Sequence, residues 1–257
     1  MRFYVIKSKF ILFLIFMFGV MAVLSSTYLG GKESLASVFF YKPKREVPIY
    51  CVDRSDKKIA LTFDAAWGSD KTQGIIDCLI KNEVKATFFL VGMWVDKNPE
   101  LVKTICDSGF EIGTHSNLHP DFNKLDKTQI ELELKTSVDK IKNIIGKEIK
   151  FFRAPFGSYN NLVLNTASSL KLKTIQWDVD SLDWKGVSSE QITKNIITKT
   201  KSGSIILCHN NADNILGALD GVINNLKSRG YEFVTLSELV YEDNFYIDNT
   251  GKQIKNI

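Results

Sequence analysis

Histidine, cysteine and proline are scarce in this chain: three, four and five in 257 residues. The cysteines (Cys51, Cys78, Cys106, Cys208) stand far apart with no C-x-x-C pair, which excludes a zinc ribbon and a dense disulfide framework. An exported chain could form one bridge among them, but buried free thiols are the commoner state. Charge of one sign is also missing. Net charge is +4, and removing Arg2, Lys7 and Lys9 from the 33 Lys+Arg leaves 30 against 29 Asp+Glu; a nucleic-acid footprint is therefore not expected. No G-x-G-x-x-G or G-x-x-x-x-G-K-[ST] follows the first strand-like run, so a nucleotide-binding sheet lacks its mark. There is no 20 to 50 residue repeat and no low-complexity tract. With 44% apolar and 24% charged residues, wholesale disorder is excluded.

What is present begins with an uncharged run. Residues 10–24 read FILFLIFMFGVMAVL, and no charge appears until Lys32. That length suits a membrane-crossing helix. A cationic stub before it, and no clean A-x-A cleavage pattern after it, favour a signal anchor over a cleaved signal peptide. Residues 1–31 are thus expected to form a transmembrane helix and 32–56 a stalk or lead-in. The positive-inside rule then leaves residues beyond about 32 outside the cytoplasm. The expected partners are the membrane and an extracytoplasmic substrate; the sequence points to no protein partner.

From residue 57 strand-like runs alternate with helical ones. The runs are 58–65, 86–92, 110–116, 151–157, 174–181, 204–210 and 232–236, each short and rich in β-branched or aromatic residues. Between them, Ile130, Leu134, Val138, Ile141 and Ile145 mark a helix over 127–145. Asp126 with Gln129, Ser188 with Gln191, and Asn98 before Pro99 read as helix starts. Alternation of this kind predicts an α/β fold: a distorted, incomplete (β/α) barrel of about seven parallel strands over 57–241, with an open doubly wound sheet as the alternative. Residues 242–257 read as a polar, loose tail.

The reactive side chains fall at strand ends. Asp64 closes the first run, His115 the third, Arg153 and Pro155 the fourth, Asp178, Asp180 and Asp183 the fifth, and His209 the sixth. In a β/α barrel these ends share one face, where active sites are built. All three histidines of the chain fall there. His115 and His119, four apart in a turn fixed by Pro120, suit two ligands of one zinc-type ion. Taken singly, Arg153 with Asp183 would equally suit a structural ion pair.

LTFDAAWG, THSNLH, FRAPFG, DVDSLDW and LCH, in this order and spacing, resemble the five signature motifs of the polysaccharide deacetylases of carbohydrate esterase family 4, the NodB-homology domain. The FDxxWG form of the first motif is similar to that of sporulation deacetylases. The resemblance implies metal-dependent removal of N-acetyl groups from N-acetylglucosamine or N-acetylmuramic acid units of a cell-wall glycan, peptidoglycan above all. It implies Asp64 as catalytic base, Arg153 as its holder, His209 as general acid and Asp183 as the carboxylate orienting it. His115 and His119 would hold a divalent zinc, cobalt or manganese ion. The segment around Phe156 would donate to the oxyanion, and Trp184 and Leu207 would wall the acetyl-methyl pocket.

One position departs from the pattern. The usual TFDDG has a second aspartate as third metal ligand, and here Ala65 stands in its place. Asp64 itself, Asp70 or water would have to complete the shell. The alternative reading is a catalytically weak or inactive glycan-binding module.

Overall fold

The structure, a computed structural model, describes residues 8–28 and 45–256. The chain divides into two compact units, Met1–Arg45 and Glu46–Ile257. In the first, Ser8–Tyr28 forms a single helix, α1, of 21 residues. Among the described residues no helix is long and apolar enough to cross a membrane, so the expected span has the sequence alone behind it. Its flanks, 1–7 and 29–31, and most of the expected stalk lie outside the described residues.

In the second unit a two-residue strand, β1 (Cys51–Val52), precedes seven parallel strands: β2 (Lys58–Ala65), β3 (Thr87–Leu90), β4 (Glu111–Thr114), β5 (Phe151–Phe152), β6 (Lys173–Thr174), β7 (Val179–Asp180) and β8 (Ile205–His209). They are ordered β6-β5-β4-β3-β2-β8-β7 and curl into a half-barrel. A further strand, β9 (Glu232–Phe233), pairs in parallel with the first two residues of β2. The expected run over 174–181 is two strands rather than one. Between them the amide of Gln176 bonds to Ile49 and its carbonyl accepts from buried Arg153, which pulls the chain out of the ladder.

Helices α2 (Thr72–Lys81), α3 (Gly92–Lys97), α4 (Pro99–Asp107), α5 (Lys127–Ile145), α6 (Asn161–Ser169), α7 (Ser189–Lys199) and α8 (Ile215–Ser228) pack outside the sheet, whereas the short α9 (Leu236–Leu239) packs its leucines against the second apolar cluster, inside the curl. Helix α5 occupies the predicted residues for the predicted reasons. Asp126 and Gln129 form a reciprocal capping box, Gly146 ends the helix at φ +66, and Ile130, Leu134 and Ile141 are buried. Each such side chain contributes about 1.5–3 kcal/mol by leaving water, well beyond the few tenths that propensity alone supplies.

The period of two along the strands separates two cores. In β2, Ile59, Leu61, Phe63 and Ala65 face the helices within the larger apolar cluster, whereas Ala60 joins Phe89, Phe151, Ile175 and Ile205 in the cluster inside the curl. Toward the strand ends the inward set becomes polar: Thr62 and Asp64 on β2, His209 on β8.

The end of the lead-in is part of the barrel. Ile49 extends the β6 edge through Ile49 N to Thr174 O (3.1 Å) and Gln176 N to Ile49 O (2.7 Å), and Val52 N donates to Gly203 O (2.9 Å). Gly203 has φ +80, and a Cβ there would stand 1.8 Å from the Val52 carbonyl oxygen; only glycine permits that approach. The residues expected to be a loose tail instead form an antiparallel hairpin, β10 (Phe245–Ile247) and β11 (Lys252–Lys255), and β11 pairs in parallel with β1. All four cysteines are free.

Candidate active site

Parallel register brings the reactive strand ends level. Asp64 on β2 and His209 on β8 are direct partners across the ladder, and the same ladder leads through Phe89 and Gly113 to the end of β4. His115 follows β4 with its amide on Leu90 O, and Arg153 follows β5 with its amide on Thr114 O. The side chains converge on a cavity of about 710 Å³ lined by Asp64, His115, His119, Asp183, Trp184 and His209 among others.

Asp64 and Arg153 form a buried ion pair. Arg153 Nη1 donates to Asp64 Oδ1 at 2.8 Å and to Thr62 Oγ1 at 2.8 Å, and Nη2 donates to Gln176 O at 3.2 Å. The guanidinium lies 4.2 Å from the Phe89 ring centroid, a cation–π contact that supports its position. Burial by itself would raise the Asp64 carboxyl, but the Arg153 guanidinium beside it, with His209 behind, carries it below the ordinary carboxylate range. It is an ionised acceptor with a fixed direction.

Nδ1 of His115 lies 2.8 Å from the carbonyl oxygen of Arg153. A carbonyl only accepts, so Nδ1 carries the hydrogen and Nε2 of the neutral ring presents its lone pair. Burial holds this imidazole below its ordinary value against the pull of Asp64. Nε2 therefore faces Asp64 Oδ2, acceptor to acceptor, at 3.5 Å, an arrangement that favours a cation between them. The His119 ring centroid is 5.0 Å from that of His115. Burial, then the neighbouring His115, push its pKa down to about 4, and its Nδ1 is buried with no hydrogen-bond partner among the described residues.

Two neutral imidazoles, one with an orphaned nitrogen, fit the donor chemistry of a zinc-type ion. A third protein ligand is not in place: among the described residues no group of three or more His, Cys, Asp or Glu side chains is arranged to hold a metal. Asp70 bonds instead to Lys71 at 2.8 Å and is 69% exposed. Ala65 is fully buried in the helix-side core beside Phe63, so its methyl serves packing.

Asp183 grips His209 twice, accepting from Nδ1 at 2.7 Å and from the backbone amide at 2.8 Å. Burial would lower this imidazole, but the hydrogen bond and charge of Asp183, with Asp64 and Asp180 behind, raise it above its ordinary value. A strained turn makes the geometry possible, since Leu182 just before Asp183 sits at φ +57. Ser116, His119 and Phe156 are also left-handed, at φ 76, 61 and 59. For non-glycine residues each costs about 1–2 kcal/mol, and such strain gathers at functional sites.

Phe156 and Trp184 stand on the rim, 71% and 58% exposed, while Leu207 is buried in the wall. Of the strand-end residues singled out from sequence, Arg153, Pro155 and Asp178 do not line the cavity; Arg153 is buried behind Asp64, and Asp178 is engaged elsewhere. It accepts from the Ile205 amide and the Ser204 hydroxyl and belongs to the sheet's support. Sequence reasoning gave no role to Trp67, which lies in the first motif. Its ring and that of Phe156 each stand edge-on to His119 at 4.6 Å, and an exposed tryptophan directly after a reactive strand end was the available signal. Trp177 and Asp213 also line the cavity without having been anticipated.

The family model for polysaccharide deacetylase matches residues 52–175. The peptidoglycan-N-acetylglucosamine deacetylase PgdA of Listeria monocytogenes is 36% identical over 77% of this chain and 42% of its own length. The peptidoglycan-N-acetylmuramic acid deacetylase PdaA of Bacillus subtilis is 33% identical over 75% of this chain and 75% of its own. The crystal structure of a CE4 family pseudoenzyme from Bacillus anthracis shares the fold with a TM-score of 0.73 at 34% identity, covering 75% of this chain and 68% of that one. This chain spans between 42% and 61% of the length of several curated relatives. Identity of 33% to PdaA, sustained over three quarters of both chains and matched by the curled parallel sheet, places the chain in the polysaccharide deacetylase family, carbohydrate esterase family 4.

Proposed function

We propose that the chain removes N-acetyl groups from N-acetylglucosamine or N-acetylmuramic acid units of a cell-wall glycan, peptidoglycan in the first place. The observation that carries this reading is the pairing of an arginine-held carboxylate with an aspartate-held imidazole on adjacent strands of one cavity. Amide hydrolysis needs both a base for the attacking water and an acid for the departing amine. Asp64 takes the proton as the water oxygen attacks the acetyl carbon. His209, kept protonated by Asp183, delivers a proton to the nitrogen as the C–N bond breaks, leaving acetate and a free amine. Trp184 and Leu207 border the acetyl methyl, and the turn at Phe156 offers backbone amides to the developing oxyanion. His115 and His119 would hold a divalent zinc, cobalt or manganese ion, which when bound supplies Lewis acidity to the carbonyl and to water.

The cationic stub and apolar run support attachment to the membrane with the Glu46–Ile257 unit outside the cytoplasm, and the FDxxWG motif supports action during sporulation. Ala65 favours a second reading, a module that binds glycan without cleaving it, and the pseudoenzyme among the structural relatives is compatible with it. Acetate release from N-acetylated peptidoglycan, measured with and without added Zn²⁺, Co²⁺ or Mn²⁺ and beside metal analysis of the purified chain, separates them. Glycan binding with neither acetate nor bound metal would overturn the deacetylase reading.

A further inference from the structure

The loop over 116–119 carries His119 in an unfavourable backbone conformation, so something must hold it there. Its carbonyls are taken by helix α3: Gly92 N donates to Ser116 O and Met93 N to Asn117 O, both at 2.9 Å. Gly92 eases this approach, since a Cβ there would stand 2.4 Å from Asn117 Oδ1 and 3.1 Å from the Asn117 Cα. The loop's amides are taken by side chains. His119 N donates to Ser116 Oγ at 2.9 Å, and two successive amides, Asn117 N at 2.9 Å and Leu118 N at 2.8 Å, converge on one oxygen, Oε2 of Glu133.

Glu133 belongs to a polar stripe of α5. Four residues on, Ser137 Oγ accepts from Thr114 Oγ1 at 2.6 Å. Three further, Lys140 Nζ donates to Asn117 Oδ1 at 2.9 Å and to Asp96 Oδ2 at 2.6 Å. Steps of four and three place all three on one helix face. Two backbone amides aimed at one carboxylate oxygen form an anion nest, in which charge-assisted bonds are about twice as strong as neutral ones. These bonds offset the left-handed strain at Ser116 and His119, and they act immediately before the imidazole that lies edge-on between Trp67 and Phe156.

We infer that Glu133 is a positioning residue: it fixes the loop so that the His119 ring is presented toward His115 and Asp64. The consequence for catalysis rests on the deacetylase reading above; the positioning itself does not. A histidine count of three makes the test direct, because each imidazole can be followed by ring ¹H–¹⁵N spectroscopy in the full-length chain. In E133A the His119 ring signals should lose the ring-current shift given by Trp67 and Phe156. The Asn117 and Leu118 amides should exchange at least about tenfold faster, equivalent to about 1.4 kcal/mol, and Zn²⁺ should bind about tenfold more weakly. E133Q, whose side-chain carbonyl can still accept both bonds, should stay within about threefold of wild type on each readout.

E111A is the control for loss of stability alone. Glu111 accepts from Thr87 Oγ1 and Ser237 N at the other end of β4, and its removal should lower the melting temperature without moving His119. Should E133A fail to fold, E133D keeps the charge but withdraws it by one methylene and should free the ring in the same way. Unchanged His119 signals and amide protection in E133A, or equal changes in E111A, would overturn the inference. Acetate release by wild type is scored separately: a freed His119 in E133A beside an inactive wild type sinks the deacetylase reading and leaves the positioning role standing.

Discussion

Replacing Asp183 by asparagine tests the acid half of the site most sharply, because one carboxylate holds His209 at two points. Asparagine offers one acceptor and one NH₂ where aspartate offers two acceptors. If its oxygen keeps Nδ1, its NH₂ confronts the His209 amide in a fully buried position, and that unsatisfied contact costs about 1–3 kcal/mol. The charge is lost as well. A hydrogen bond to a charged group contributes about 1.5–3 kcal/mol against about 0.5–1.5 for a neutral one. Asp183→Asn should therefore lower the His209 pKa. The alkaline limb of kcat/KM for acetate release should move down with it, and the ring signals of His209 should report the shift without any turnover. Since the folded pKa is raised above the ordinary 6.5, the stability given by the ion pair is complete below that value and is lost as pH rises through the native pKa. The gap in melting temperature between wild type and variant should accordingly narrow from pH 5.5 to pH 9. A His209 titration that is the same in both proteins would refute the assignment of Asp183 as its partner.

Asp64→Asn should abolish acetate release, and Asp64→Ala should also destabilise the fold by about 3–5 kcal/mol, because Arg153 would remain buried without its counter-charge; a denaturant titration showing no loss would contradict the burial of that pair. Ala65→Asp should lower the melting temperature in the absence of metal, as a carboxylate enters an apolar cluster, and recover it with Zn²⁺ while tightening Zn²⁺ binding. A variant indifferent to Zn²⁺ would mean that position 65 does not reach the two imidazoles. Gly203→Ala should destabilise strongly, since the added methyl meets the Val52 carbonyl oxygen at 1.8 Å; a melting temperature within a degree of wild type would show that β1 separates freely from the barrel.

The alternation of strand and helix was legible because each strand pays its hydrophobic signal locally, and β2 and α5 occupy the residues that periodicity assigned. Strand ends named the cavity because parallel register converts position along a strand into height in the barrel. What lay hidden was long-range. Nothing local shows that Ile49 closes the β6 edge or that Lys252 and Gln253 pair with Cys51 and Val52, since these are contacts between segments too short to carry a period. Asp178 resembled its neighbours Asp180 and Asp183 by position, yet only a folded chain reveals that its oxygens are spent on the backbone and hydroxyl of the next strand. The anchor at Glu133 was equally invisible, being one acid among many on a solvated-looking helix.

The pairing of β1 with β11 also decides how the molecule can be cut. Because the first and last strands of the Glu46–Ile257 unit lie side by side and run parallel, the two end segments act together as a clasp across the seam of the sheet. A fragment trimmed to 57–241, the span its motifs occupy, would lose both halves of that clasp and uncover Ile175, Val234 and Leu239 to water.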